Sequence, residues 1–308
     1  MKRNQSKLII NKIKIFYKEF SPTIDGYPIV GLQSPQTRTL NVGYIEKTKN
    51  KSSFIPCRLN LGGFREQMTQ EATIQSLSLP YIFKIISKYN SNRISTITIL
   101  REGLACHLST ALLHAGINSH FGDCFVGVNH VKKPNSITAS YKYENKEGLS
   151  KEGLWIIADS VAAGRNMVAT LRSLLSQCRP NELLFIIPIG NRWGINKISQ
   201  LVAKYKLKST FLIWGALFGL NPVNRYDEPW GLPDCEPIDV RDQKTFVDMY
   251  GPRLCVGGDF GNDFYCVSFA LKLYKDQLKE IKIIPKIPKV KDLLKTYKKS
   301  EFIIKHSS

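Results

Sequence analysis

The chain has no CxxC pair among its seven cysteines, no apolar run of membrane-spanning length and few acidic residues. Each absence excludes a class. Cys57, Cys106, Cys124, Cys178, Cys235, Cys255 and Cys266 are odd in number and unpatterned, which argues against a disulfide frame or a zinc site and for small buried thiols kept reduced. Without a run of about 18 apolar residues nothing reads as a membrane span. The basic start of "MKRNQSKLIINKIKIFYKEF" is broken by Lys12, Lys14, Lys18 and Glu19, so no secretory leader is expected and the cytoplasm is the expected location. No internal repeat is visible. Only 25 acidic residues stand against 44 basic ones, a formal charge of +19. Such a field suits anionic ligands, polyphosphate or nucleic acid, though a surface of solvated lysines explains it equally well.

What is present is an alternation. "FREQMTQEATIQSLSLPYIFKIISKYN" has helical spacing, with Met68, Ala72, Leu79, Ile82, Ile85 and Ile86 on one face and Pro80 dividing it into two helices. Short apolar strands at 94–101, 120–128, 153–159, 182–190 and 209–217 then alternate with helical stretches at 103–116, "AGRNMVATLRSLLSQC" and "NKISQLVAKYK". Strands separated by helices imply βαβ units, and strands apolar on both faces imply a covered parallel sheet. The expected fold is therefore α/β, a twisted and mainly parallel sheet with flanking helices. A small hood is expected from the N-terminal part and pieces of the C-terminus. The expected organisation is an extension over residues 1–56, a main domain over 57–270 and a basic tail over 271–308, where eleven lysines face four acids. Residues 220–243 hold four prolines and little periodicity, which predicts a long surface loop.

Ligands of an open parallel sheet bind beyond the C-terminal ends of its strands. Three segments put suitable residues there. In "GLWIIADSVAAGRNM" an apolar strand ends at Asp159, and Ser160–Asn166 run into a helix. Loop amides at a helix N-terminus bind a phosphate monoester, small residues at Ala162, Ala163 and Gly164 allow close approach, and Asp159 suits ribose hydroxyls or magnesium. The same residues also describe an ordinary strand-to-helix turn. In "ILREGL" Arg101 leaves a strand end and Gly103 permits a tight turn, an arrangement suited to pyrophosphate or to a surface Arg101–Glu102 pair. "VGGDFGNDFY" (256–265) brings glycine backbone close to something flat or anionic, or makes a plain turn.

Together, in this order, the segments resemble the type I phosphoribosyltransferases over about residues 60–270, most closely the uracil phosphoribosyltransferases. "LREG" stands where that family has "LRAG", and "DSVAAGRNM" where it has "DPxxATGxS". "GALFGLN" stands for "GAIDEGLN", "CVGGDFGNDFY" for "PGLGDFGDRYF", and 125–145 where the family has a mobile substrate-covering hairpin. The chain departs at Ala163 and Asn166, where the family carries hydroxyls. Further departures are Glu102 in the first loop, Asn262-Asp263 for an Asp-Arg pair, and Cys255 for a proline.

The resemblance implies transfer of ribose 5-phosphate from phosphoribosyl pyrophosphate (PRPP) to a nucleobase, most simply uracil, with Mg2+ as cofactor. It implies Arg101, Glu102 and Gly103 at pyrophosphate, and Asp159 at the ribose or its metal. Ser160, Val161, Ala162, Ala163, Gly164, Arg165 and Asn166 would hold the 5′-phosphate. Asp259 would lie near metal-bound pyrophosphate, and Val256, Gly257, Gly258, Asp259 and Phe260 would meet the base. A homo-oligomer is expected. Two other readings stay open: a different acceptor, or a non-catalytic protein of this fold that binds nucleic acid.

Overall fold

The computed structural model describes residues 5–10, 13–48, 51–60, 62–100, 102–117, 121–133, 136–145, 147–220 and 230–251, with a few positions between 271 and 279. In chain order these give β1 (Gln5–Ile10), β2 (Ile13–Glu19), β3 (Ile29–Gln33), α1 (Pro35–Asn41), β4 (Gly43–Thr48) and β5 (Lys51–Pro56). Next come α2 (Gly62–Leu77), α3 (Pro80–Ile86), β6 (Ile94–Leu100), α4 (Leu108–His114), β7 (Gly122–Lys133), β8 (Ser136–Glu144), β9 (Leu154–Ala158) and α5 (Arg165–Leu175). The rest are β10 (Glu182–Ile187), β11 (Gly190–Asn191), α6 (Arg192–Lys204), β12 (Lys208–Trp214), β13 (Ala216–Phe218), β14 (Glu236–Pro237) and α7 (Val240–Tyr250).

Nine strands form one sheet in the order β1-β2-β3-β12-β10-β9-β6-β7-β8. The six from β3 to β7 are mutually parallel, and antiparallel pairs close both ends. The α/β expectation holds, and the reason is visible strand by strand. On β9, Trp155 and Ile157 join Phe185, Ile187, Phe211 and Ile213 against α5 and α6, whose Met167, Leu171, Leu174, Ile195, Ile198 and Val202 complete that layer. Leu154, Ile156 and Ala158 face the other way with Leu184, Ile186, Leu212 and Trp214, toward α2, α3 and α4. Alternate residues feed two cores, so each central strand is apolar throughout.

Pro80 does separate two helices. Leu79 is extended (φ −60°, ψ 131°) and Pro80 opens α3, where its missing N–H costs nothing. Ala72, Leu79, Ile82, Ile85 and Ile86 are all buried. The N-terminal residues join the sheet itself: β3 pairs in parallel with β12, and β2 pairs antiparallel with β3.

A third core makes the hood. Val42, Ile55, Cys57 and Leu59 from the N-terminal side meet Ile189, Ala216, Phe218, Trp230, Phe246, Leu271 and Tyr274. The expectation of a surface loop over 220–243 is corrected in its second half. Trp230 is fully buried, stands edge-on to Phe218 at 4.7 Å and donates Nε1–H to the Asn41 carbonyl at 2.7 Å. From Val240 onward the chain is helical, with Asp239 capping α7 by accepting from the Arg241 amide. An aperiodic segment shows no amphipathic pattern, yet one large aromatic suffices to draw it inward. Residues 221–229 of that stretch lie outside the described residues. No described helix is long and apolar enough to cross a membrane. Cys57, Cys106, Cys124, Cys178 and Cys235 form no disulfide among the described residues.

Candidate functional site

The order of the parallel strands sets the location. From β6 the chain steps one way to β7, and from β9 it steps the other way to β10 and then β12, so the winding reverses between neighbouring β6 and β9. A crevice opens outside the carboxyl ends of two strands at such a point. The ends of β6 and β9 are where the turn at 102–106 and the loop at 159–164 lie.

These two segments are pressed together. A Cβ built on Gly103 would fall 2.5 Å from the Ala158 carbonyl oxygen, so only glycine lets the turn lie across the end of β9. Next to this contact, the Ser160 hydroxyl donates a hydrogen bond to the Glu102 carboxylate. Asp159 is 4% exposed. Its Oδ1 accepts from the Ser160 amide at 2.9 Å, while Oδ2 is buried with no partner among the described residues. Burial pushes the Asp159 carboxyl up to about 8, with the Ser160 amide pulling it down. Cys106, fully buried nearby, has its thiol pushed up chiefly by burial, with Glu102 and Asp159 raising it further.

The loop itself rests on the start of α6. Val161 donates its amide to the Ile189 carbonyl at 2.8 Å, and the Asn191 amide returns a bond to the Val161 carbonyl at 3.1 Å. Asn191 then does three things with one side chain. Its Nδ2 donates to the carbonyls of Val161 and Ala162, and its Oδ1 caps α6 by accepting from the Gly194 amide at 2.8 Å. A Cβ on Gly194 would stand 2.2 Å from the Ala162 carbonyl oxygen. Gly164 has φ +69° and a Cβ there would stand 2.9 Å from the Gly194 carbonyl oxygen. The loop's carbonyls are thereby turned down onto α6, and its amides are left for something else. Among the described residues no hydrogen bond engages the N–H groups of Ala162, Ala163 and Gly164. Immediately after them, α5 begins at Arg165 with no side-chain cap. Consecutive amides and a helix N-terminus form a concavity of positive potential.

Beside Glu102 lies a small cavity with about 20 Å³ of room, enough for a water molecule, lined among others by Asn41, Arg65, Thr69, Glu102, Ile189 and Trp214. It separates the turn from the hood. Asn41 ties β12 to the hood, donating Nδ2–H to the Trp214 carbonyl at 3.1 Å and accepting at its own carbonyl from Trp230 Nε1–H. His107, which ends the turn, adopts a left-handed backbone (φ 44°), and its Nε2 lies 2.7 Å from the Glu66 carboxylate on α2.

The structure thus brings Glu102, Gly103, Asp159, Ser160, Val161, Ala162, Ala163 and Gly164 to one place, with Arg165 and Asn166 in the first turn of α5. Arg101, Val256, Gly257, Gly258, Asp259 and Phe260 lie outside the described residues, as does Asp263. The segment 125–145 is an antiparallel hairpin of β7 and β8. Asn191 and Gly194 were not singled out from the sequence. Their signal was "IGNRWG", a glycine, a capping asparagine and a second glycine directly after an apolar strand.

No group of three or more potential metal ligands occurs among the described residues. The unpartnered Asp159 oxygen and the neighbouring Glu102 carboxylate are nonetheless the hard oxygen donors that Mg2+ takes when a phosphorylated ligand and water supply the rest.

No family model matches the chain, and no curated protein matches it. Among solved structures it is similar to a protein from Aquifex aeolicus, at 17% identity over 52% of this chain and 78% of that one, with a TM-score of 0.39. It is similar to an orotate phosphoribosyltransferase from Aeropyrum pernix at 13% identity, over 57% and 90% of the two chains, with a TM-score of 0.32. An adenine phosphoribosyltransferase from Trypanosoma brucei follows at 11% identity, over 64% and 86%, with a TM-score of 0.35. At this distance the likeness assigns neither family nor substrate.

Proposed function

We propose that this protein is a phosphoribosyltransferase that moves ribose 5-phosphate from PRPP to a nucleobase, most simply uracil to give UMP, and that it works as a homo-oligomer. The observation that carries the reading is the cradle at the β6/β9 switch. There, the unengaged amides of Ala162, Ala163 and Gly164 and the start of α5 lie beside a buried carboxylate with a vacant acceptor oxygen. In this reading residues 161–166 surround the 5′-phosphate, which the amides of Ala162, Ala163 and Gly164 and the start of α5 hold, Asp159 accepts from a ribose hydroxyl, and Arg101, Glu102 and Gly103 lie along the pyrophosphate. Val256–Phe260, with Asp259 toward the pyrophosphate, receive the base.

The reaction breaks the bond between C1 of the ribose and a pyrophosphate oxygen, and the pyrophosphate leaves with the electron pair. A ring nitrogen of the base then attacks C1, and its proton goes to solvent. Little covalent chemistry falls to the protein, whose contribution is to fix the sugar and place charge where it develops. Mg2+, held by Asp159 and Glu102 together with the ligand's own oxygens, would neutralise the pyrophosphate. The β7–β8 hairpin is suited to close over the bound substrates and exclude water.

The test is calorimetry with PRPP and magnesium on the wild type and Asp159→Ala, followed by turnover on a panel of bases. Saturable heat that the variant loses by tenfold or more in affinity supports the reading, and the base turned over names the acceptor. Absence of heat at millimolar PRPP refutes it. A second reading has its own observation. The Ser160 hydroxyl is engaged by Glu102, and Ala163 and Asn166 bring no hydroxyl to the loop, which favours a protein of this fold that has lost catalysis and binds nucleic acid through its +19 charge. That reading requires binding that weakens steeply with salt, because each neutralised phosphate releases counterions.

A further inference from the structure

The cradle loop is also the edge of the hood's small sheet. β14 pairs antiparallel with β13, β13 pairs in parallel with β11, and Val161 of the loop bridges Gly190 of β11. One row of backbone pairs therefore runs from the loop to Glu236 and Pro237. The row is tied back to the end of β12 where the Ile238 amide donates to the Gly215 carbonyl at 3.0 Å. Strands of two or three residues are too short to hold such a row rigid unaided.

Arg192 supplies a second connection. It opens α6 directly after Asn191, whose side chain restrains the loop. Its Nε donates to Glu236 Oε1 at 2.5 Å and its Nη2 to Oε2 at 2.9 Å, a two-pronged pairing that reaches the strand two places away. Its Nη1 donates to the carbonyls of Ser21 and Pro22 at 3.1 and 3.3 Å, in the segment between β2 and β3. One guanidinium thus joins the start of α6, the far strand of the hood sheet and the chain after β2. The two paired side chains are 28% and 31% exposed, so water screens their attraction and limits what the pair adds to stability. The fixed geometry of the planar fork is its main contribution.

We propose that Arg192 is a positioning residue that, through Glu236, couples β14 to the cradle, so that an anion held at 162–164 stiffens the hood segment 230–238. The inference rests on the reading of the 159–166 loop as a phosphate site and goes beyond it. A bound phosphate restrains the loop amides, and Val161 and Asn191 pass that restraint to β11. Arg192 is the next residue, so its guanidinium is held at the angle that meets Glu236. The link works through reduced fluctuation and is reciprocal: a loosened hood weakens the cradle's grip on its ligand.

The experiment is amide hydrogen exchange on the full chain with and without ribose 5-phosphate, for the wild type and Glu236→Ala, with calorimetry setting saturation for each. Alanine removes both acceptors from Arg192 and leaves every residue of the cradle in place. In the wild type the ligand should slow exchange over 230–238 by about fivefold or more. In Glu236→Ala the slowing should fall below about twofold, while exchange in β9 stays as in the wild type and reports an intact fold. Arg192→Lys, which keeps the charge and loses the fork, carries the same expectation. A merely structural pair would speed exchange over 230–238 in both variants and leave the ligand's effect at its wild-type size, and that result overturns the proposal. Wild-type protein that binds ribose 5-phosphate with no slowing over 230–238 overturns it as well, needs no variant and leaves the phosphate site standing. If ribose 5-phosphate does not bind the wild type, the phosphate site itself is refuted, and the coupling with it.

Discussion

Replacing Asp159 by asparagine should change how the stability of this protein depends on pH, and the size of the change follows from where the carboxyl sits. In the fold its oxygens are buried and its pKa is raised to about 8 by loss of hydration. In the unfolded chain an aspartate ionises near pH 3.9. Between those two values the folded state carries one proton more than the unfolded state, so stability falls as pH rises. The contribution is fully present below about pH 4 and is lost progressively as pH climbs through about 8. The slope is about 1.4 kcal/mol per pH unit. From about pH 5.5 to about pH 7.5 the wild type should therefore lose on the order of 2–3 kcal/mol through this group, a large share of an ordinary total of about 5–15 kcal/mol. Asparagine keeps an acceptor for the Ser160 amide and cannot ionise, so its offset from the wild type includes a constant and only the slope is diagnostic. Urea unfolding of both proteins at three pH values across that window measures it. Wild-type and variant stabilities that run parallel in pH would show that Asp159 does not hold its proton in the fold, and the account of a desolvated, unpartnered oxygen would fail.

Two further substitutions test what supports the site. Asn191→Ala removes the α6 cap and the donor to the Val161 and Ala162 carbonyls, so urea unfolding should show a loss of about 2–4 kcal/mol, a cap plus newly unsatisfied buried acceptors. Ribose 5-phosphate affinity should drop with it, and an unchanged stability would mean that the loop does not rest on α6. Trp230→Ala empties the middle of the hood core, where truncation of a fully buried aromatic costs about 3–5 kcal/mol, and hydrogen exchange in α7 should rise well before exchange in β9.

The central strands were legible because a strand covered on both faces must be apolar at every position, and β9, β10 and β12 satisfy that with Trp155, Ile157, Phe185 and Phe211 on one side and Ile156, Ile186 and Leu212 on the other. Alternating helices then imply parallel pairing. The place of the first residues was not legible in the same way. Strand β2 pairs with its sequence neighbours β1 and β3, but β3 finds its parallel partner in β12, far along the chain, and that long-range pairing leaves no local mark. Trp230 shows the converse failure, since burial of an aperiodic segment leaves no period to read.

At the candidate site the division is sharper. Asp159 and Gly164 are visible in the sequence because one ends an apolar run and the other precedes a helix. What turns the loop's amides outward is invisible there, because it consists of pairs. Gly103 matters through the Ala158 carbonyl, Gly194 through the Ala162 carbonyl, and Ser160 through a carboxylate on a different turn. Each partner alone is an unremarkable residue. A cradle depends on which backbone atoms face it and which are occupied, and Asn191 decides that here by holding two of the loop's carbonyls on its own side. The same logic explains why the missing loop hydroxyls weigh less than they seem to in the sequence. An amide cradle needs its carbonyls restrained before it needs hydroxyls, and that restraint comes from α6, outside the segment in which the motif is read.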